Sequence, residues 1–102
     1  MKPGLNQTVL VGAVVGEVRY GTMPAGDEVL SFTLRVSRRP VGEGKPVQVM
    51  AKINVYIRPL IDVCRRMSLE RGMMVVVDGE LMNRKGPHGL LLEVRAHEII
   101  FP

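Results

Sequence analysis

The chain has 102 residues and contains no tryptophan, two tyrosines, two phenylalanines and a single cysteine. One cysteine excludes an intrachain disulfide and favours a reducing compartment. No apolar run approaches the roughly 20 residues that a membrane-spanning helix needs. The N-terminal Met-Lys-Pro-Gly is polar and the apolar residues after it are strand-like, so no signal peptide is read. His88 and His97 are far apart and have no cysteine at ligand spacing, which leaves no zinc site to argue. Neither a P-loop nor a glycine-rich dinucleotide fingerprint is present. Glu80, Glu93 and Glu98 fall on strands, but a nucleophile, base and orienting group cannot be assembled around them. These absences point away from an enzyme and from any cofactor or metal. They point toward a soluble intracellular protein: cytoplasmic, nucleoid-associated, or organellar in a eukaryote.

What is present is globular. The composition is 46% hydrophobic and 24% charged, with a formal net charge of +4 that favours an anionic partner. The length suits one domain, residues 1–102, and there is no internal repeat or low-complexity tract. In 30-LSFTLRVSRR-39, Leu30, Phe32, Leu34 and Val36 alternate with Ser31, Thr33, Arg35 and Ser37. That period of two predicts a strand from Glu28 to Arg38 with one face in a core and one in water. A long, valine-rich first strand runs from Leu5 to Tyr20, and its Gly12 and Gly16 mark a bend or bulge. After the loop 39-RPVGEGKP-46 a third strand covers Val47 to Ile57. Its apolar register is Val47, Val49, Ala51, Ile53, Val55 and Ile57, opposite Gln48, Met50, Lys52, Asn54 and Tyr56.

The period changes at Pro59. Leu60, Ile61, Val63, Cys64 and Met67 take helical spacing with Asp62, Arg65 and Arg66 outward, Pro59 suits the first turn, and Gly72 suits the end. Cys64 sits on the apolar stripe and reads as core. The segments 73-MMVVVDGELMNR-84 and 90-LLLEVRAHEII-100 form two further strands around the turn 85-KGPHG-89. Three strands, one short helix and two strands predict an all-β, five-stranded OB-fold, a Greek-key barrel with one helix between strands three and four. An SH3-like barrel lacks that helix, and a ferredoxin-like fold needs two.

Several stretches resemble bacterial-type single-stranded DNA-binding proteins: 5-LNQTVLVGAVVGEVRY-20, 24-PAG-26 with 29-VLSFTLRVSRR-39, 53-INV-55, 60-LIDVCRRM-67 and 72-GMMVVVDGELMNR-84. The resemblance covers Leu5 to Phe101, and its specificity lies in the order of the elements. It implies an OB-fold that binds single-stranded DNA without catalysis, in replication, recombination or repair. The related primosomal replication protein N, similar in length and in the turn before strand two, ranks second. Two departures stand out. That family stacks bases on several aromatic side chains, often tryptophans, and this chain has Pro40 and Gly86 around such positions. The 102 residues also include no flexible acidic tail of the kind that recruits replication partners.

The candidate nucleic-acid contacts are Arg35, Arg38, Arg39, Lys45, Lys52, Arg58, Arg84 and Lys85 as phosphate contacts, with Tyr56 as the base-stacking residue. The competing reading makes the arginines a charged strand edge that prevents aggregation and Tyr56 a subunit contact. Phe32 shares the register of Leu30 and Leu34 and reads as core; Tyr20 reads as packing. Expected partners are single-stranded DNA, with RNA as the alternative ligand, and further copies of the chain in a dimer or tetramer. Seven methionines and apolar face residues such as Met50, Met74, Val76 and Met82 suit such contacts. The rival function is an OB assembly module of a primosome-like or RNA-processing complex that binds mainly protein.

Overall fold

The computed structural model describes residues 4–38, 42 and 44–102. Five strands and one helix follow one another as β1 (Thr8–Thr22), β2 (Glu28–Arg38), β3 (Val47–Val55), α1 (Arg58–Arg66), β4 (Met74–Gly86) and β5 (Gly89–Ile100). The strands close into a barrel in the order β1-β2-β3-β5-β4. Every seam is antiparallel except β3 with β5, which is parallel and short: Ile53 pairs with Val94 and Asn54 with Arg95. The expected five-stranded OB-fold with one short helix between strands three and four is the observed architecture.

The alternating registers explain the core. Leu30, Phe32 and Leu34 of β2, Ile53 and Val55 of β3, and Val75 and Val77 of β4 are all buried. Helix α1 closes one end of the barrel with Ile61 and Cys64, and Leu69 follows them into the same cluster. Burying side chains of this size contributes about 1.5–3 kcal/mol each, which makes the alternation the main determinant of the fold. Along β1 the register slips between Val15 and Arg19, and Gly16 sits in the slip at φ 69°, where a side chain would be strained. This is the bulge anticipated at Gly16. Before β1, Asn6 substitutes for a strand residue: its side chain donates to the Leu81 carbonyl at 2.8 Å and accepts from the Leu81 amide at 2.9 Å.

The helix is shorter than its sequence implied. It ends at Arg66, with Met67 as the cap, and Ser68 takes a left-handed φ of 54°. The Leu69 amide then donates to the Cys64 carbonyl at 3.0 Å and the Leu69 side chain turns back into the core. Gly72, with φ 94°, shapes the following turn instead. The last hairpin is also tighter than expected, since Gly86 pairs with Gly89 across Pro87 and His88. Among the described residues no helix is long and apolar enough to cross a membrane.

Candidate nucleic-acid interface

The outer register of β2 and β3 forms a continuous surface. Arg35 lies opposite Met50, Thr33 opposite Lys52, and Ser31 opposite Asn54. The neighbouring β1 adds Ala13 beside Arg35, Val15 beside Thr33 and Arg19 beside Ser31. Between β1 and β3 lies a shallow hollow of about 300 Å³ whose lining includes Gly16, Arg19, Ser31, Thr33 and Lys52. Small polar side chains form the β2 floor, and Lys52 and Arg19 stand at its margin, Arg19 paired with Glu17 at 3.2 Å.

Past Asn54 the same surface continues onto Tyr56 and across the parallel seam to β5. Here the polar side chains are tied together. Ser31 Oγ donates to Asn54 Oδ1 at 2.7 Å, and Asn54 Nδ2 donates in turn to Glu93 Oε2. The Tyr56 hydroxyl donates to the same carboxylate, 3.2 Å from Oε1 and 3.3 Å from Oε2. Arg95 Nε donates to Oε1 at 3.1 Å, and the Arg95 guanidinium lies 4.9 Å above the centre of the Tyr56 ring. Burial, followed by the nearby Glu93 charge, holds the Tyr56 phenol above its ordinary pKa of 10, so at neutral pH it is a hydrogen-bond donor.

The anticipated site residues fall into groups. Arg35, Lys52 and Tyr56 share this surface, and Arg35 and Lys52 are exposed. Arg84 lies in the hairpin opposite Leu91, close enough for its charge to act on Tyr56, whereas Lys85 occupies the alternate register opposite Leu90. Arg58 opens α1 and borders a polar cavity of about 430 Å³ together with Tyr56, Arg65 and Glu28. Arg38 ends β2 in the register of Leu34 and Val36, so it does not share the face of Arg35. Lys45 is exposed in the loop before β3, and Arg39, like Pro40, lies outside the described residues. Among the described residues, Arg35, Lys52 and Arg84 make no ion pair.

Sequence reasoning passed over Ser31, Asn54, Glu93 and Arg95 as parts of one network. The signal that was available is the spacing of Glu93 and Arg95, two residues apart and therefore on one face of β5. Tyr20 does pack: the Arg65 guanidinium lies 4.5 Å over its ring, and Arg65 also grips Glu28. Phe32 is core, 2% exposed, and Cys64 is wholly buried.

A five-stranded OB barrel with a cationic outer face on β2 and β3, bordered by a tethered tyrosine, belongs to the class of proteins that bind extended single-stranded nucleic acid. The family model for the single-strand binding protein family matches residues 5–100. The chain belongs to that family and is a single-stranded DNA-binding protein. Among solved structures it is similar to one described as Plasmodium falciparum SSB in complex with single-stranded DNA. That match has a TM-score of 0.83 and 26% identity, and covers 100% of this chain and 98% of the other.

Proposed function

We propose that the protein binds single-stranded DNA non-enzymatically, with little sequence preference, along the outer face of β2 and β3, in replication, recombination or repair. The observation that carries this reading is the alignment of Arg35 and Lys52 on one face with Tyr56, Arg84 and Arg95 at its end. Phosphate contacts position a strand without reading it, and one stacking ring accepts any base. With two tyrosines and no tryptophan, charge carries a larger share of the affinity than in an aromatic-rich groove. A salt titration of labelled oligo(dT) binding tests this. The logarithm of affinity falls linearly with the logarithm of salt, with a slope of about −0.7 for each phosphate neutralised on a single strand. A preference for duplex, or no binding at low salt, would overturn the reading.

The same proposal includes self-association. One end of the outer face of β1, β4 and β5 carries an apolar patch: Val11 pairs with Val76, Val76 with Ile100, and Ala13 with Met74, and of these Val11, Met74 and Ile100 are exposed. Among the described residues, Thr8–Gly12 of β1 pair only with β4 and leave the other edge open. An apolar face beside an open edge suits a second copy of this chain. Light scattering at micromolar concentration is expected to give a dimer or tetramer that Val11→Glu dissociates; a monomeric parent protein would refute it.

A further inference from the structure

Glu93 is an anion on a surface that must receive an anion. It shares the outer face of β5 with Arg95, yet is only 2% exposed. A buried carboxylate is costly unless fully hydrogen-bonded, and its charge repels an approaching phosphate. Glu93 is surrounded by donors alone: the Asn54 amide, the Tyr56 hydroxyl and the Arg95 guanidinium. Asn54, 1% exposed, is itself fixed by Ser31. The carboxylate is thus the acceptor that ties the Tyr56 ring, just past the end of β3, and the Arg95 cation of β5 into a single arrangement.

We infer that Glu93 is a positioning residue for strand binding: it holds Tyr56 and Arg95 as a preset pair, the ring offered to a nucleobase and the guanidinium to the adjoining phosphate. A buried negative charge then raises affinity for a negatively charged strand, because the order it imposes on two contact residues outweighs its repulsion. The inference rests on the single-strand-binding reading of this face and gives the buried Glu93 a part in it.

The sign of one substitution separates this from a bystander role. Glu93→Gln removes an anion, which by Coulomb's law alone tightens phosphate binding. It also points an amide NH2 at donors, so the arrangement of Tyr56 and Arg95 comes apart. With no tryptophan and two tyrosines, tyrosine fluorescence reports ring stacking directly. On titration with oligo(dT), Glu93→Gln is expected to bind about tenfold more weakly, the scale of losing one stacked base. It should also show less tyrosine quenching, with the salt slope reduced by about 0.7 as Arg95 leaves its phosphate. Equal or tighter binding with an unchanged slope would overturn the inference while leaving strand binding intact. If Glu93→Gln does not fold by circular dichroism, Tyr56→Phe decides: it keeps the ring and loses only the tether, so weaker binding of labelled oligo(dT), read by fluorescence anisotropy of the strand, is expected. Parent-like affinity of a folded Tyr56→Phe would overturn the inference. A parent protein that binds no single strand would overturn the underlying reading as well.

Discussion

A β-carbon added to Gly79 would overlap the carbonyl oxygen of Arg95 and lie 2.8 Å from its carbonyl carbon. The obstacle is backbone, so no rotamer change relieves it. The contact falls where the β4–β5 register shifts between Asp78 and Gly79, and Gly79 is buried there. Only glycine lets the two strands approach at this point. The same stretch of β5 carries Glu93 and Arg95, so barrel closure and site geometry share one constraint.

Gly79→Ala is therefore expected to destabilise the protein by about 3 kcal/mol, the upper range for forcing extra volume into packed structure. Urea unfolding followed by circular dichroism measures it. Loss of less than about 0.5 kcal/mol, the ordinary effect of a surface change, would mean that the strands separate there without strain.

Strand limits and faces were legible because alternation directly reports which side of a strand is buried. Glu28 to Arg38 coincides with β2; in β3 the apolar register is buried only at Ile53 and Val55, with Val47 and Val49 exposed, and the strand ends at Val55 rather than at Ile57. Parity also separates Arg35 from Arg38, three residues apart, although grouping them by charge hid it. Asn54 looked like a solvent-facing residue because its partner, Glu93, arrives from 39 positions away across the parallel seam. Local pattern carries no information about such a pairing. The helix end was missed for a related reason: Leu69 gains more by entering the core than by continuing the helix, and Ser68 takes the left-handed turn that allows it.

The Glu28–Arg65 pair predicts an acid dependence. Its hydrogen bond and charge hold the Glu28 carboxyl below its ordinary 4.5. A carboxyl with a depressed folded pKa contributes stability that is full above 4.5 and disappears as pH falls through the lower folded value. Arg65→Ala is expected to lower the melting temperature at neutral pH, and the gap from the parent protein should narrow as the pH falls below 4.5. Because both side chains are partly exposed, the effect is small and shrinks further in high salt. A gap independent of pH would assign the loss to the Tyr20 contact instead.

Cys64 supplies a probe of global opening. Burial in α1 leaves it without exposure and pushes its thiol up to about 11. Disulfide reagents need both access and thiolate. The folded protein is expected to stay unmodified at about pH 8 and to react with one equivalent in denaturant, as measured by release of a chromogenic thiol. Rapid native-state reaction would show that α1 lifts from the barrel far more often than global unfolding allows.

The last prediction concerns which cations grip the strand. Arg35 and Lys52 project from the same face of β2 and β3, whereas Arg38 belongs to the opposite register. Backbone clamps act alike on every sequence, so the double variant Arg35→Ala/Lys52→Ala should weaken oligo(dT), oligo(dC) and mixed strands by one common factor. It should also reduce the salt slope by about 0.7 for each cation removed. Arg38→Ala, made separately, is expected to change affinity and slope less than either single substitution at Arg35 or Lys52. All three positions are exposed, so each change should alter stability by no more than about 0.5 kcal/mol and leave the fold available for measurement. If the arginines merely guard a strand edge, the double variant binds normally but precipitates more readily, and solubility measured in the same preparation shows it. A larger loss from Arg38→Ala than from Arg35→Ala would move the strand to the other face of β2, around the barrel end where β2 meets Val47.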